Sequence, residues 1–315
     1  MATELILKNT PIPKPLDEWK SIAVELLGTQ TRFVQGEKWR HRIIESGFDN
    51  DAAEPLILIH GMGGHAETFA RNMHNLAAHG FHVVAIDALF HGYTDKEPWN
   101  PDTELDLQAD ALADLVRALG YEKAHIEGES LGASILFEFG LRYPELCGKL
   151  ILNTAVGRVK LDKSDFVIRA GEGDEFKRIS QQSVTDPSFE AMQPRMSWLV
   201  GEPSRMTDEM VEVRLRLYQD PAIHQAMKRV YRLDGGEYGP QFQPRHDEST
   251  LASFPHEVLV FWTELNPGYG PDYAEYVAHR IPGAQYYIMK DAAHWPQWEK
   301  PEEHDQVLIE FIKGA

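Results

Sequence analysis

The stretch that most constrains this chain is His125-Ile126-Glu127-Gly128-Glu129-Ser130-Leu131-Gly132-Ala133. Ala124 to Glu127 reads as a short strand, and the pattern after Ser130 predicts a helix running to about Tyr143. Between them lies a Gly-x-Ser-x-Gly turn in the setting that turn requires, strand before and helix after. Gly128 and Gly132 lack a Cβ, so strand and helix can approach closely around a serine held on a sharp bend. Ser130 then projects its Oγ away from the sheet as a candidate nucleophile. The N–H of Leu131, in the first helical turn, has no intrahelical acceptor and is a candidate oxyanion donor. Alone, the same pattern arises by chance in glycine-rich turns; its setting is what gives it weight.

The rest of the chain supplies a matching framework. Pro55–Ile59 (PLILI) and His82–Ile86 are continuous apolar runs, the mark of strands buried on both faces of a parallel sheet. Lys149–Leu152, Val258–Trp262 and Ala284–Met289 read as further strands, with helices predicted over 67–79, 105–119, 272–280 and 302–312. Thr31–Gln35 and Arg40–Ser46 read as a hairpin, and Leu16–Leu27 as a short surface helix behind the proline-rich lead-in Thr10–Pro15. Strand and helix alternate as a βαβ series, which predicts an α/β fold with a mainly parallel sheet covered by helices on both faces. From 157 to 255 the rhythm breaks. Phe166–Ser183 and Met206–Arg232 read there as amphipathic helices, and no apolar strand stands out. The expected organisation is a core of residues 1–156 and 256–315 carrying a helical lid insertion, 157–255.

Composition narrows the partners. With 315 residues the chain is long enough for one large core plus an insertion. Its 31 basic against 49 acidic residues give a net charge of −18, which argues against nucleic acid and anionic membranes as partners. Solubility alone accounts for most of that charge. A single cysteine, Cys147, excludes an internal disulfide framework and fits a reducing compartment. No basic-then-apolar leader opens the sequence and no run of 18 apolar residues occurs, so a cytoplasmic location is expected. Neither metal-binding His/Cys spacing nor a phosphate-binding glycine loop is present, and no metal or cofactor is expected.

Ser130, an acid slot after a late strand, and His294 before the last helix occur in an order that resembles the α/β-hydrolase fold, over almost the whole chain. His60-Gly61-Met62-Gly63-Gly64 is similar to that family's oxyanion loop, which implies that the Met62 N–H joins that of Leu131 and that Gly61 lies against the substrate. Chain position makes His294 the base. The C-terminal run His294-Trp295-Pro296-Gln297-Trp298-Glu299 looks like the H-W-x-Q-W-E run of the meta-cleavage product hydrolases. Those enzymes cleave a carbon–carbon bond in vinylogous 1,5-diketones from aromatic-ring degradation. The resemblance implies that Trp295 and Trp298 wall an apolar pocket and that Gln297 offers amide hydrogen bonds there. The alternative is that both tryptophans pack the closing helix. Thr207 to Arg214 resembles the segment carrying that family's carboxylate-binding arginine, a role that falls on Arg214 with Arg195 as a weaker candidate. The alternative for Arg214 is an ion pair with an acid from another segment. The implied substrate is a small apolar molecule bearing a carboxylate or ester, and a homodimer is possible.

Three departures accompany the resemblance. The oxyanion loop lacks the family's proline, Glu129 stands where it commonly has Asn, and the acid slot aligns with Asn266 in Thr263-Glu264-Leu265-Asn266-Pro267. Three readings of that slot stand open: Asn266 serves as it is, Glu264 reaches in from the same loop, or Asn266 replaces an aspartate in an inactivated variant. Two other functions stay open as well. One is a carboxylesterase or lactonase on the same scaffold, and the other a catalytically weak ligand sensor.

Overall fold

A computed structural model describes residues 1–7, 21–161, 174–235 and 243–314. Its centre is a nine-stranded sheet in the order β1-β11-β10-β7-β6-β4-β5-β3-β2. The strands are β1 (Thr3–Glu4), β2 (Gln30–Gln35), β3 (Arg40–Ser46), β4 (Glu54–Ile59), β5 (Phe81–Ile86), β6 (Ala124–Glu129), β7 (Cys147–Asn153), β10 (Val258–Thr263) and β11 (Gln285–Met289). Seven of these run parallel; β2 and β3 are the predicted hairpin, antiparallel to each other, and β3 runs antiparallel to β5. A two-residue pair, β8 (Val159–Lys160) with β9 (His246–Asp247), lies apart from this sheet.

The apolar runs are buried on both faces, as their composition demands. In β4, Ile57 and Ile59 pack with the helices α3 (Glu104–Ala118), α4 (Leu131–Arg142) and α10 (Pro271–Ala278). Leu56 and Leu58 point the other way, to α2 (Met73–Ala78) and α12 (Pro301–Lys313). Each such side chain, fully buried, contributes about 1.5–3 kcal/mol. A third apolar cluster gathers α6 (Phe189–Ser197), α7 (Asp208–Gln219) and α8 (Pro221–Val230) around Phe90, Trp295 and Trp298. Helix α5 (Asp174–Thr185) adds Val184 to it.

Four expectations need correction. The helix predicted over 206–232 is two. Asp220 has extended backbone and caps Ala222 and Ile223, and Pro221 takes the first helical position, where its missing N–H costs nothing. The helix predicted over 67–79 is a 3-10 turn, Ala66–Phe69, followed by α2. Of the N-terminal helix, Ile22–Glu25 forms α1; Thr10–Pro15, residues 16–20 and most of the predicted start of the 166–183 helix lie outside the described residues. The stretch 157–255 does contain strand, β8 and β9, both too short to leave a pattern. The four-residue helices α9 (Ser249–Ala252) and α11 (Pro296–Glu299) are likewise too short for periodicity to reveal.

Register brings the site together. Glu129 at the end of β6 is level with Asn153 of β7, which is level with Phe261 of β10, and Ile59 of β4 is level with Gly128. The loops leaving these strands therefore emerge at one edge, the carboxyl edge where open α/β sheets bind ligands.

Candidate active site

Ser130 sits at φ 54°, ψ −112°, a conformation a non-glycine residue rarely adopts and which must be held by its surroundings. Two things hold it. Its N–H donates to Asn153 O at 2.9 Å, and its own carbonyl starts α4 by accepting from Ala133 and Ser134. The flanking glycines are obligatory for steric reasons. A Cβ on Gly128 would lie 2.2 Å from Gly132 O, and one on Gly132 would lie 2.4 Å from Ile59 O. The predicted bend is present, with Ser130 at its tip and Leu131 as the first residue of α4.

His294 follows β11 on a buried loop. Its Nδ1 lies 2.8 Å from Asn266 Oδ1, and Asn266 Nδ2 donates to Tyr269 O at 3.0 Å. That second bond fixes the amide, so Oδ1 faces the ring and Nδ1 carries the proton. Nε2 is left as the basic nitrogen. Burial first, and then the Arg195 charge, push His294 down to about 3, so the ring is neutral at rest. Thr154 Oγ1 donates to His294 O, and the next residue, Trp295, donates its N–H to Leu199 O, which anchors the loop on both sides.

The loop from His60 to Gly64 is braced from two directions. His60 Nδ1 donates to Gly61 O at 2.7 Å while its Nε2 accepts from Ala88 N–H, so this histidine is a structural strut, kept neutral by burial. Tyr231 and Tyr218 donate their hydroxyls to the carbonyls of Met62 and Gly63. These two tyrosines left no signal in the sequence, because their role depends on the packing of α7 and α8 over a distant loop. Ser130, His294, Asn266, Gly61, Met62, Leu131, Arg214 and Trp295 all line one cavity of about 460 Å³.

Residues 54–301 match a family model described as the alpha/beta hydrolase fold. The chain belongs to the α/β-hydrolase family. Among known proteins, the 2-hydroxy-6-oxononadienedioate/2-hydroxy-6-oxononatrienedioate hydrolase of Paraburkholderia phymatum is 28% identical over 264 residues, covering 82% of this chain and 87% of that one. The protein of the same name from Escherichia coli K12 is 29% identical over 263 residues, with the same shares covered. The 2-hydroxy-6-oxo-6-phenylhexa-2,4-dienoate hydrolase of Rhodococcus sp. strain RHA1 has the same fold. It matches at a TM-score of 0.76 and 20% identity, over 90% of this chain and 99% of that one.

Of the two candidates for the acid slot, Asn266 is the one that meets the His294 ring, Oδ1 to Nδ1. Glu264, the rival, instead accepts from Asp291 N–H at 3.0 Å on the exposed side of the loop. The C-terminal run is also more divided than expected. Trp295 lines the cavity, but Trp298 does not: its indole donates to Arg205 O and its ring carries the Arg71 guanidinium at 4.0 Å. Gln297 is likewise fully buried beside Asn153 and offers nothing to the cavity. Glu299 fastens the His294 loop, accepting from Ala293 N–H, Gly201 N–H and Arg205.

Two buried guanidinium groups also line the cavity. Arg214 is 1% exposed, its Nε and Nη2 have no hydrogen-bond partner among the described residues, and it lies over Trp295 at 5.2 Å. Arg195 is 4% exposed, with Nε and Nη1 in the same condition, and is stacked on Phe176 and Trp198. The ion pair considered for Arg214 is not formed among the described residues. The rest of the lining is mixed: Val159, Leu161, Trp262 and Tyr273 supply apolar wall, and Glu104 and Arg158 add charge. The described residues contain no cluster of metal-binding side chains.

Proposed function

We propose that this hydrolase cleaves a carbon–carbon bond in a vinylogous 1,5-diketone bearing a carboxylate, the type of ring-fission product its dienedioate-hydrolase relatives are named for. One observation carries the reading: two buried arginines, without an acid partner among the described residues, face the same cavity as Ser130 and His294. An unpaired buried cation costs several kcal/mol, so a protein that keeps two of them in a pocket is built to receive anions there. Two such groups also suit a dioate, one at each carboxylate or both around one. The planar guanidinium of Arg214 is the better bidentate partner for a dienoate carboxylate, and the apolar wall accepts the carbon chain.

In this reading Ser130 Oγ passes its proton to His294 Nε2 and attacks the ketone carbonyl beside the scissile bond. The N–H groups of Met62 and Leu131 receive the oxyanion. The carbon–carbon bond breaks with its electron pair delocalised into the dienoate, whose carboxylate charge Arg214 neutralises. Water, deprotonated by His294, then releases the acid from Ser130. Asn266 orients the ring but lends no charge to the imidazolium. In serine proteases the corresponding loss of charge lowers the rate by ~10⁴, so this chemistry must draw support from elsewhere in the cavity. Helices α5–α8 act here as a lid over the sheet edge, within the insertion 157–255. The buried free thiol of Cys147 fits a reducing cytoplasm.

The test is a panel of ring-fission dienoates beside simple esters, following loss of dienolate absorbance and release of p-nitrophenol. Turnover of a dienoate is the expected result. Esters turned over with every dienoate untouched would replace this reading by a carboxylesterase, and tight dienoate binding without turnover by a sensor.

A further inference from the structure

The cavity contains a carboxyl group that neither the triad nor the carboxylate clamp uses. Glu129, the last residue of β6, is 1% exposed and lines the cavity. Its Oε2 accepts the Gly61 N–H at 2.6 Å. Its Oε1 has no hydrogen-bond partner among the described residues and lies 3.3 Å from His294 Nε2. A Cβ on residue 61 would come within 2.5 Å of Oε2, so glycine there leaves the carboxyl its present position. Gly61, expected to contact substrate, has its N–H occupied in this way.

We propose that Glu129 is the general acid that protonates the leaving carbon, an assignment that rests on the carbon–carbon cleavage reading above. The geometry says where the proton sits. Oε2 is engaged as an acceptor, so the acid proton belongs on Oε1, which is the oxygen that faces the cavity. The ionisation state agrees. The groups facing this carboxyl are Arg214 on α7, Arg195 on α6, His294 on its loop, Glu127 on the same strand and the Gly61 N–H. Burial outweighs the arginines and the N–H bond and pushes Glu129 up to about 8, so it is a neutral acid at pH 7. With His294 also neutral, the two are not an ion pair at rest.

The step balances. The Ser130 proton moves to His294 Nε2 as the Oγ–C bond forms. The C–C bond breaks, and its electron pair takes the Oε1 proton of Glu129 to give a C–H bond. The imidazolium, 3.3 Å away, then returns a proton to the Glu129 carboxylate. A carbon leaving group needs that proton, whereas p-nitrophenolate departs without one. This also answers the neutral Asn266: the charge that does not stabilise the imidazolium from behind Nδ1 develops on Glu129 in front of Nε2.

Glu129→Gln keeps an acceptor for Gly61 N–H but has no acid proton. It should lower kcat on a dienoate by ~10²–10³ with little change in KM, and lower p-nitrophenyl ester hydrolysis far less. Wild-type kcat/KM on the dienoate should fall as pH rises through about 8, and that limb should vanish in the variant. Glu129→Asp should restore part of the rate. Infrared difference spectra of wild type against Glu129→Gln should show a protonated carboxyl at pH 7 that ionises near 8. Equal losses on both substrates, or an unchanged pH profile, would overturn the acid role in favour of a structural one. If no dienoate is turned over at all, the cleavage reading and the acid role fail together; if dienoates are turned over but Glu129 is ionised at pH 7 in the infrared spectra, the acid role alone is overturned.

Discussion

Glu127 and Glu129 lie two residues apart on β6, point to the same face of the sheet and are both buried, yet one is tied into a side-chain network and the other faces the cavity. Glu127 Oε1 accepts from Asn153 Nδ2 at 2.6 Å and lies 2.8 Å from His304 Nε2, and His304 in turn meets Asp305, which holds Asn72 and Asn75. Both bonds fall on Oε1, while Oε2 has no partner among the described residues, and the network pushes His304 up to about 9, burial being outweighed by Glu127 and Asp305. Glu129 has one backbone N–H and an open oxygen, and two arginines with no acid partner among the described residues line the same cavity. A buried carboxyl tied to His304 in a side-chain network is framework; one that faces a cavity with a single backbone N–H is a place where a ligand finishes the structure.

The widest separation between the two environments is expected from Ser130→Ala. It should lower turnover by about 10⁴-fold or more with an unchanged circular dichroism spectrum, because the cavity side can lose a group without losing the fold. Residual activity within tenfold of wild type would remove the serine from the chemistry. The framework side should behave in reverse. Glu127→Ala strands His304 and should cost about 3–5 kcal/mol in urea unfolding, whatever the remaining activity per folded molecule. A loss below about 1 kcal/mol would show that the network contributes little.

The same network predicts a pH dependence of stability. The folded-state value of His304 lies above that of an unfolded histidine, near 6.5, so the fold favours the protonated ring. Its stabilisation is complete below about 6.5 and lost as pH rises through about 9. Urea midpoints measured from pH 6 to 10 should fall across that window, and His304→Gln should flatten the decline. On the cavity side, Arg214→Lys should raise KM for carboxylate-bearing substrates by about tenfold or more while leaving neutral esters nearly unaffected, since a point charge replaces a forked donor. Equal shifts for both would return Arg214 to a structural role.

The smallest effects concern the acid slot. Asn266→Asp supplies charge to the imidazolium but sets a carboxylate oxygen against Tyr269 O, which Asn266 Nδ2 now satisfies. The gain in kcat/KM on activated esters should therefore stay within about tenfold, and Glu264→Gln should change it by less than about twofold. A large loss in the Glu264 variant would restore it as the acting acid.

Legibility in the sequence followed the range of the interactions. The buried strands announced themselves as uninterrupted apolar runs, and Ser130, His294 and Asn266 could be located because each follows a strand within a few residues. The division at Asp220-Pro221 is also written locally, as a capping residue followed by proline, but the apolar periodicity on either side masks it. Trp298 escapes its expected place because a resemblance gives a residue's identity without its direction; α11 turns it onto Arg71. What Glu129 touches was beyond reach. Its hydrogen-bond partner Gly61, its neighbour His294 and the charges of Arg195 and Arg214 that reach it come from four separate segments, and only the shared register of β4 and β6 brings the first of them within hydrogen-bond distance.

Helix α7 carries Arg214 and, four residues on, Tyr218, so the residue proposed to grip the substrate and a residue bracing the loop proposed to hold the oxyanion share one rigid body. Its neighbour α8 leads into Tyr231, which braces the adjacent carbonyl. For the evolution of this enzyme that linkage is a constraint. A mutation that shifts α7 to accommodate a longer or differently charged substrate also disturbs the peptide planes of Met62 and Gly63, and with them reactivity. New specificities are therefore more accessible through the apolar wall, at Val159, Leu161 or Tyr273, where side chains can change size without moving a helix that serves two purposes.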